Sequence, residues 1–243
     1  MHYGRRMRVR RFTVVVFSAI LLTAASARPT AHPTALSETP ALDEFALDAA
    51  AIREMLESPT GRREAWTITP TLVIVASVVD YDRGDTASGF PVTERLLTST
   101  EIGHLRTDLT AALVELSDGR LTAFEDVVVE TPESGAKVSL FRPGQIVVGR
   151  FRGLRERTGN LGYGGRATRR SGAISGAAIM LDERADRDLS RRRLTRMHEL
   201  GHALGYNHVT LRVSIMNPRL GSAMSEFDRL AIRQLGSEAF GLN

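Results

Sequence analysis

Between His198 and His208 the chain reads HELGHALGYNH, eleven residues that hold three of the protein's six histidines. His198 and His202 are four residues apart, so on a helix their rings leave one face a turn apart and can reach the same ion. Gly205 can take φ > 0 just past such a helix, which lets the chain reverse and bring His208 round as a third nitrogen. Three protein ligands leave the fourth tetrahedral position of a zinc ion open to water, the arrangement of a catalytic site and not of a closed structural one. Glu199, adjacent to His198, lies beside that open position and can take the proton of the water. One Zn²⁺ ion is therefore the expected cofactor, with His198, His202 and His208 as ligands and Glu199 as the catalytic base.

The segment is similar to the HExxHxxGxxH signature of the metzincin zinc endopeptidases. Downstream, Ser214-Ile215-Met216-Asn217-Pro218 resembles the Met-turn of that family, in which a methionine forms an apolar floor under the three histidines. Met216 stands eight residues after His208 and is followed by a Met-x-Pro pattern, both as in the matrixin-like branch. Taken alone, Met216 would read as an ordinary core methionine. The resemblance is close over residues 194–236 and rests on element order alone over 66–193.

What it implies is a peptidase in which Glu199 accepts the proton of a zinc-activated water and returns it to the leaving amine. Activity should fall in acid, as protons compete with the metal for the histidines. A peptide or protein substrate would lie extended along a strand edge, for which residues 161–164 and 177–181 are the two candidates. Residues 218–224, beginning with Pro218, would wall the S1′ pocket beyond the scissile bond. The sequence also departs from the family. It has no cysteine, so the cysteine switch of animal matrix metalloproteinases is impossible. His104 is the only histidine between His32 and His198, so their structural zinc site is absent. No tyrosine stands two residues after Met216, unlike the astacins and serralysins, and Val209 marks none of the best-known subfamilies.

These side chains need a scaffold. Residues 72–79 are β-branched and apolar almost throughout, as a strand buried on both faces would be. Residues 93–116 read as a long helix, with Leu96, Leu97, Ile102, Leu105, Leu109, Leu113 and Leu116 on its buried side and Asp118-Gly119 as its stop. Short strands are expected at 127–129, 138–141 and 146–151, and a further pair around 173–174 and 177–181. Ser225 caps a closing helix that carries Phe227, Leu230, Ala231 and Leu235 on one face and ends at Gly236. The order is mixed, without regular βαβ alternation. With the resemblance, it implies an α+β fold: a metzincin-like mixed, mostly parallel twisted sheet with a long backing helix, an active-site helix and a C-terminal helix.

Five arginines at the start precede an apolar run over 12–25 and the small-x-small sequence Ala25-Ser26-Ala27. This is the pattern of a secretory signal peptide, residues 1–27, and the protein is expected outside the cell. An apolar run of fourteen residues spans roughly 21 Å as a helix, too short for a stable membrane anchor. Residues 28–65 follow as a Pro- and Thr-rich linker and an N-terminal helix from Thr39-Pro40, with Leu42, Phe45, Ala49, Ile52 and Leu56 on one face. That helix is either part of a propeptide or a brace packed on the domain. Residues 66–243 form the catalytic domain, expected to be monomeric.

The formal charge of +4 belongs to the leader; without its five arginines the balance is 27 basic to 28 acidic residues. No nucleic-acid partner is implied. The remaining arginines over 150–170 and 184–196 read as a solvated face. Asp80, Asp82 and Asp85 do not match a calcium-loop spacing, so Ca²⁺ is possible but unsupported. Residues 159–165 lack the ending of a phosphate loop and read as a flexible rim.

Overall fold

Nine buried residues in a row follow Thr71 and form the centre of a sheet, strand β1 (Thr71–Asp80). The computed structural model describes residues 44–186, 188–219 and 223–234. The expected signal, the linker, Thr39-Pro40, Leu42, the side chain of Phe45, Leu235, Gly236 and residues 220–222 of the expected pocket wall lie outside them. The elements before the long helix are α1 (Glu44–Leu56), β1 and β2 (Phe90–Leu96), and the helix itself is α2 (Ser99–Leu116). There follow β3 (Val127–Glu130), β4 (Lys137–Val138), β5 (Gln145–Arg152), α3 (Leu154–Thr158), β6 (Gly162–Thr168), β7 (Ile174–Asp182), α4 (Leu189–Leu204) and α5 (Glu226–Gln234).

The fold is α+β. Strands β3, β1, β5 and β7 run parallel and make the middle of a seven-stranded sheet. Antiparallel strands flank them, β2 and β4 beyond β1 and β6 beyond β7, in the order β4-β2-β1-β5-β7-β6 with β3 also beside β1. Alternation along β1 sends Leu72, Ile74 and Val78 to one face and Val73, Val75 and Val79 to the other. The first face is covered by α1, α2, α4 and α5, whose buried Leu, Ile, Met and Ala side chains join Trp66 in one cluster. The second holds Phe90, stacked on Tyr81 at 5.8 Å and edge-on to Phe151 at 5.5 Å between centroids. Each fully buried leucine in the first cluster contributes about 1.5–3 kcal/mol relative to an exposed one.

Several expectations change. Residues 93–96 are not helical: they end β2, Leu96 is 56% exposed, and α2 begins only after Thr98. The reason is a capping box, in which the Thr98 side chain accepts from Glu101 N–H while the Glu101 carboxylate takes the Thr98 N–H. The two short strands expected at 173–174 and 177–181 are one strand, β7. The glycine-rich rim is largely the edge strand β6. On α5 the buried positions are Asp228, Ala231 and Ile232, with Leu230 turned outward at 37% exposure.

The arginines are not uniformly solvated either. Arg150 and Arg196 are among the largest fully buried side chains, and burial lowers both guanidinium pKa values to about 10. They tolerate it because Asp186 accepts from both and Asp108 also accepts from Arg196, at 2.6 Å. Arg192 reaches the same Asp108 oxygen at 3.1 Å, so α4 is tied to α2 by charge as well as by packing.

Candidate metal centre and peptide cleft

Helix α4 starts after Asp188, whose carboxylate accepts from Arg191 N–H at 3.3 Å. It ends in a Schellman motif: Tyr206 N–H donates to Gly201 O at 2.9 Å and Gly205 N–H to His202 O at 3.2 Å. Gly205 has φ 117°, and a Cβ there would stand 2.1 Å from Glu64 O, so both the turn and the close approach require glycine. The chain then reverses and presents His208 to the face that carries His198 and His202. The ligand atoms of the three rings lie within 4.8 Å of one another.

Each helical ring is oriented from behind. His198 Nδ1 is 2.7 Å from Ile215 O and His202 Nδ1 is 2.9 Å from Tyr206 O. A carbonyl accepts only from an N–H, so both rings carry their proton on Nδ1 and turn the Nε2 lone pair inward. His202 Nε2 and His208 Nε2 face one another at 3.1 Å. Ligands about 2.0–2.1 Å from a tetrahedral zinc stand about 3.3 Å apart, so the His202–His208 separation and the all-imidazole donor set suit a zinc-like cation. Burial lowers the pKa of all three histidines, His198 to about 4, which keeps the rings neutral and able to ligate at pH 7. At His208 the Glu54 carboxylate opposes that shift.

Met216 lies beneath this face, fully buried. A Cβ on Gly201 would meet its Sδ at 2.5 Å, which explains a glycine in mid-helix: the sulfur occupies that space. The turn that carries Met216 is held by Asp228 of α5, wholly buried, which accepts from Ser214 Oγ at 2.5 Å and Ile215 N–H at 2.9 Å. Asp228 thereby fixes the residue whose carbonyl orients His198. Pro218 is exposed just beyond the turn.

Glu199 is 5% exposed and its carboxylate accepts from Gly164 N–H on β6. Burial pushes its pKa up to about 8, against that hydrogen bond. Gly162 and Gly164 must be glycine here, because a Cβ on them would lie 2.7 Å from Glu199 Oε1 and 2.2 Å from Glu199 O. Of the two candidate substrate edges, 177–181 is interior, with β5 on one side and β6 on the other. Residues 161–164 open β6, which ends the strand order. Two residues on, Arg166 donates to Glu64 at 2.6 Å, to His202 O at 3.0 Å and to Asn207 Oδ1 at 2.8 Å. It adds a second donor to the His202 carbonyl at the end of α4 and joins the edge strand to the loop of His208.

Sequence reasoning missed Arg166 and the part Asp228 plays in the turn. The available signals were an arginine within a glycine-rich strand and the Ser225/Asp228 cap. Asp80, Asp82 and Asp85 do not converge: Asp80 pairs with Arg152 at 2.7 Å, Asp82 with Arg157 at 2.5 Å, and Asp85 accepts from Ser88 N–H at 2.7 Å. Among the described residues, no helix is long and apolar enough to cross a membrane.

No protein-family model matches the chain, and no curated protein does. Among solved structures, metalloproteinase-II from Bacteroides fragilis is similar at 14% identity and a TM-score of 0.39. The match covers 77% of this chain, which spans 60% of the length of that structure. Likeness at that level leaves the reading of the site to its own geometry.

Proposed function

We propose that the chain is a zinc-dependent metalloendopeptidase of the metzincin type, matrixin-like in its Met-turn, exported by residues 1–27 and acting on peptides outside the cell. The observation that carries this reading is the convergence of three imidazole nitrogens within 4.8 Å, two of them from the helix that also carries the buried Glu199. His198, His202 and His208 would hold the ion, which when bound supplies a Lewis acid to the scissile carbonyl and lowers the pKa of water toward ~7.

The chain's own residues do the rest. Glu199 takes the proton of the attacking water and later delivers it to the leaving amine. Burial raises the Glu199 carboxyl, and a cation held by the three histidines would lower it again toward the range in which it can accept a proton. As the last strand in the order, β6 has one flank free of a neighbouring strand among the described residues, where an extended peptide would add. Pro218 and the residues to 224 would wall the pocket after the scissile bond.

The burial of Glu199 favours one other reading, a secreted binding module whose metal site is occluded. Zinc analysis and a peptide-library assay on wild type and Glu199→Ala separate the two. Bound zinc, with cleavage lost by about 10²–10⁴-fold in the variant, supports the peptidase. Zinc with no cleavage by either form supports the module, and no zinc in either form defeats both. N-terminal sequencing of exported protein tests the cut after Ala27.

A further inference from the structure

Two of the three histidines ride on one helix, whereas His208 lies in an irregular segment between α4 and the Met-turn. What holds that segment comes from about 150 residues earlier in the chain. On one side of His208, Asn207 N–H donates to Met55 O at 2.8 Å and Asn207 Nδ2 to Glu57 O at 2.9 Å. On the other, Thr210 N–H donates to Glu54 Oε2 at 2.9 Å, Thr210 Oγ1 to Glu54 Oε1 at 2.6 Å, and Leu211 N–H to Glu54 Oε2 at 3.3 Å. Both carboxylate oxygens of Glu54 are thus engaged by the chain just past the third histidine. Between these two attachments Val209 N–H donates to Met216 O at 3.0 Å, which joins the segment to the floor of the site. The end of α1 supplies acceptors because the last carbonyls of a helix have no partner within it.

We propose that Glu54 is a positioning residue for His208, and that α1 is a permanent part of the metal site and not a segment removed on maturation. This rests on the reading of the three histidines as metal ligands. Ile52, Met55 and Leu56 anchor α1 in the main core, so the Glu54 carboxylate is presented from a fixed support. The loop it holds can present its imidazole without a fresh cost in ordering each time an ion arrives. Any processing cut compatible with a working site lies on the N-terminal side of Glu44.

The test is Zn²⁺ affinity of the full chain by competition with a chromophoric chelator, with the Co²⁺ visible spectrum and thermal unfolding of the metal-free protein as parallel readouts. Glu54→Ala should bind Zn²⁺ about 10–100-fold more weakly and alter the Co²⁺ spectrum while the metal-free protein unfolds near the wild-type temperature. Glu54→Gln, which keeps one acceptor oxygen, should recover part of the affinity and serves if the alanine variant does not fold. Asp48→Ala removes a different α1 contact, to Arg212 at 2.6 Å, and should change affinity less than twofold. Zn²⁺ bound by both Glu54 variants within twofold of wild type overturns the proposal, as does an equal loss in Asp48→Ala. Zinc-loaded mature protein whose N-terminus lies after Glu57 overturns it too. A wild-type chain that takes up no Zn²⁺ overturns the reading of the triad itself, whereas tight binding by wild type and Glu54→Ala alike defeats only the present inference.

Discussion

The two halves of the histidine cluster are built in different ways. His198 and His202 owe their mutual placement to a four-residue spacing on α4, and each ring is tied by a nearby carbonyl, Ile215 O or Tyr206 O. Their helix is locked to α2 by Asp108, which accepts from Arg192 and Arg196, and by Tyr206, whose hydroxyl donates to Leu116 O at 2.5 Å. His208 has no such local geometry and depends on Gly205, Arg166 and the end of α1. One half is fixed by the period of a helix and the other by contacts between distant segments. Damage to the first should therefore reach the fold, while damage to the second should reach the metal first.

The largest effect expected is loss of the ion. His202→Ala and His208→Ala should both lower the zinc-to-protein ratio from near one to near zero after dialysis against a weak chelator. His208→Ala should leave the unfolding temperature of the metal-free protein unchanged, because that ring is exposed on the loop. A fall of many degrees would erase the distinction between the two halves.

Next comes the lock on α4. Asp108→Ala leaves the guanidinium of Arg196, 1% exposed, with one fewer counter-charge and should cost about 3–5 kcal/mol in a urea titration. A cost below about 1 kcal/mol would mean that the charge lock adds little to apolar packing.

Gly201→Ala sharpens the role of the floor. Its methyl group would stand 2.5 Å from Met216 Sδ, so overpacking should cost about 1–3 kcal/mol and displace the turn under His198. A crystal structure of the variant with Met216 unmoved would contradict this.

The smallest effect lies at the start of the backing helix. Thr98→Ala should cost about 1 kcal/mol at neutral pH without altering zinc affinity. Burial raises the Glu101 carboxyl, but the hydrogen bonds from Thr98 and Arg95 prevail and hold its pKa below the ordinary value. That contribution is complete above the unfolded pKa of about 4.3 and is lost as pH falls through the lowered folded value, so the gap between wild type and Thr98→Ala should narrow below about pH 4. Unfolding curves at pH 3 and pH 7 that show the same gap would remove the carboxylate from the account.

The same contrast explains what could be read from sequence. The pair His198/His202, the glycine that ends α4 and the apolar run of β1 are local patterns, and each is where spacing places it. The start of α2 was misplaced because Leu96 and Leu97 continue an apolar spacing that Thr98 and Glu101 interrupt with a cap. The burial of Arg150 and Arg196 was invisible because charge balance along the chain does not reveal which acids meet which bases in space. Gly162 and Gly164 read as loop residues in isolation. Their reason is Glu199, pressed so closely against those two positions that a Cβ would meet it.

Zinc-edge X-ray absorption of the loaded protein is the most direct measurement of whether the three rings act together. The account expects three imidazole nitrogens at about 2.0–2.1 Å with at least one light oxygen ligand, and one imidazole fewer in any metal that His208→Ala retains. Two imidazoles in the wild type, or a variant spectrum identical to it, would contradict a site in which His208 is the third ligand.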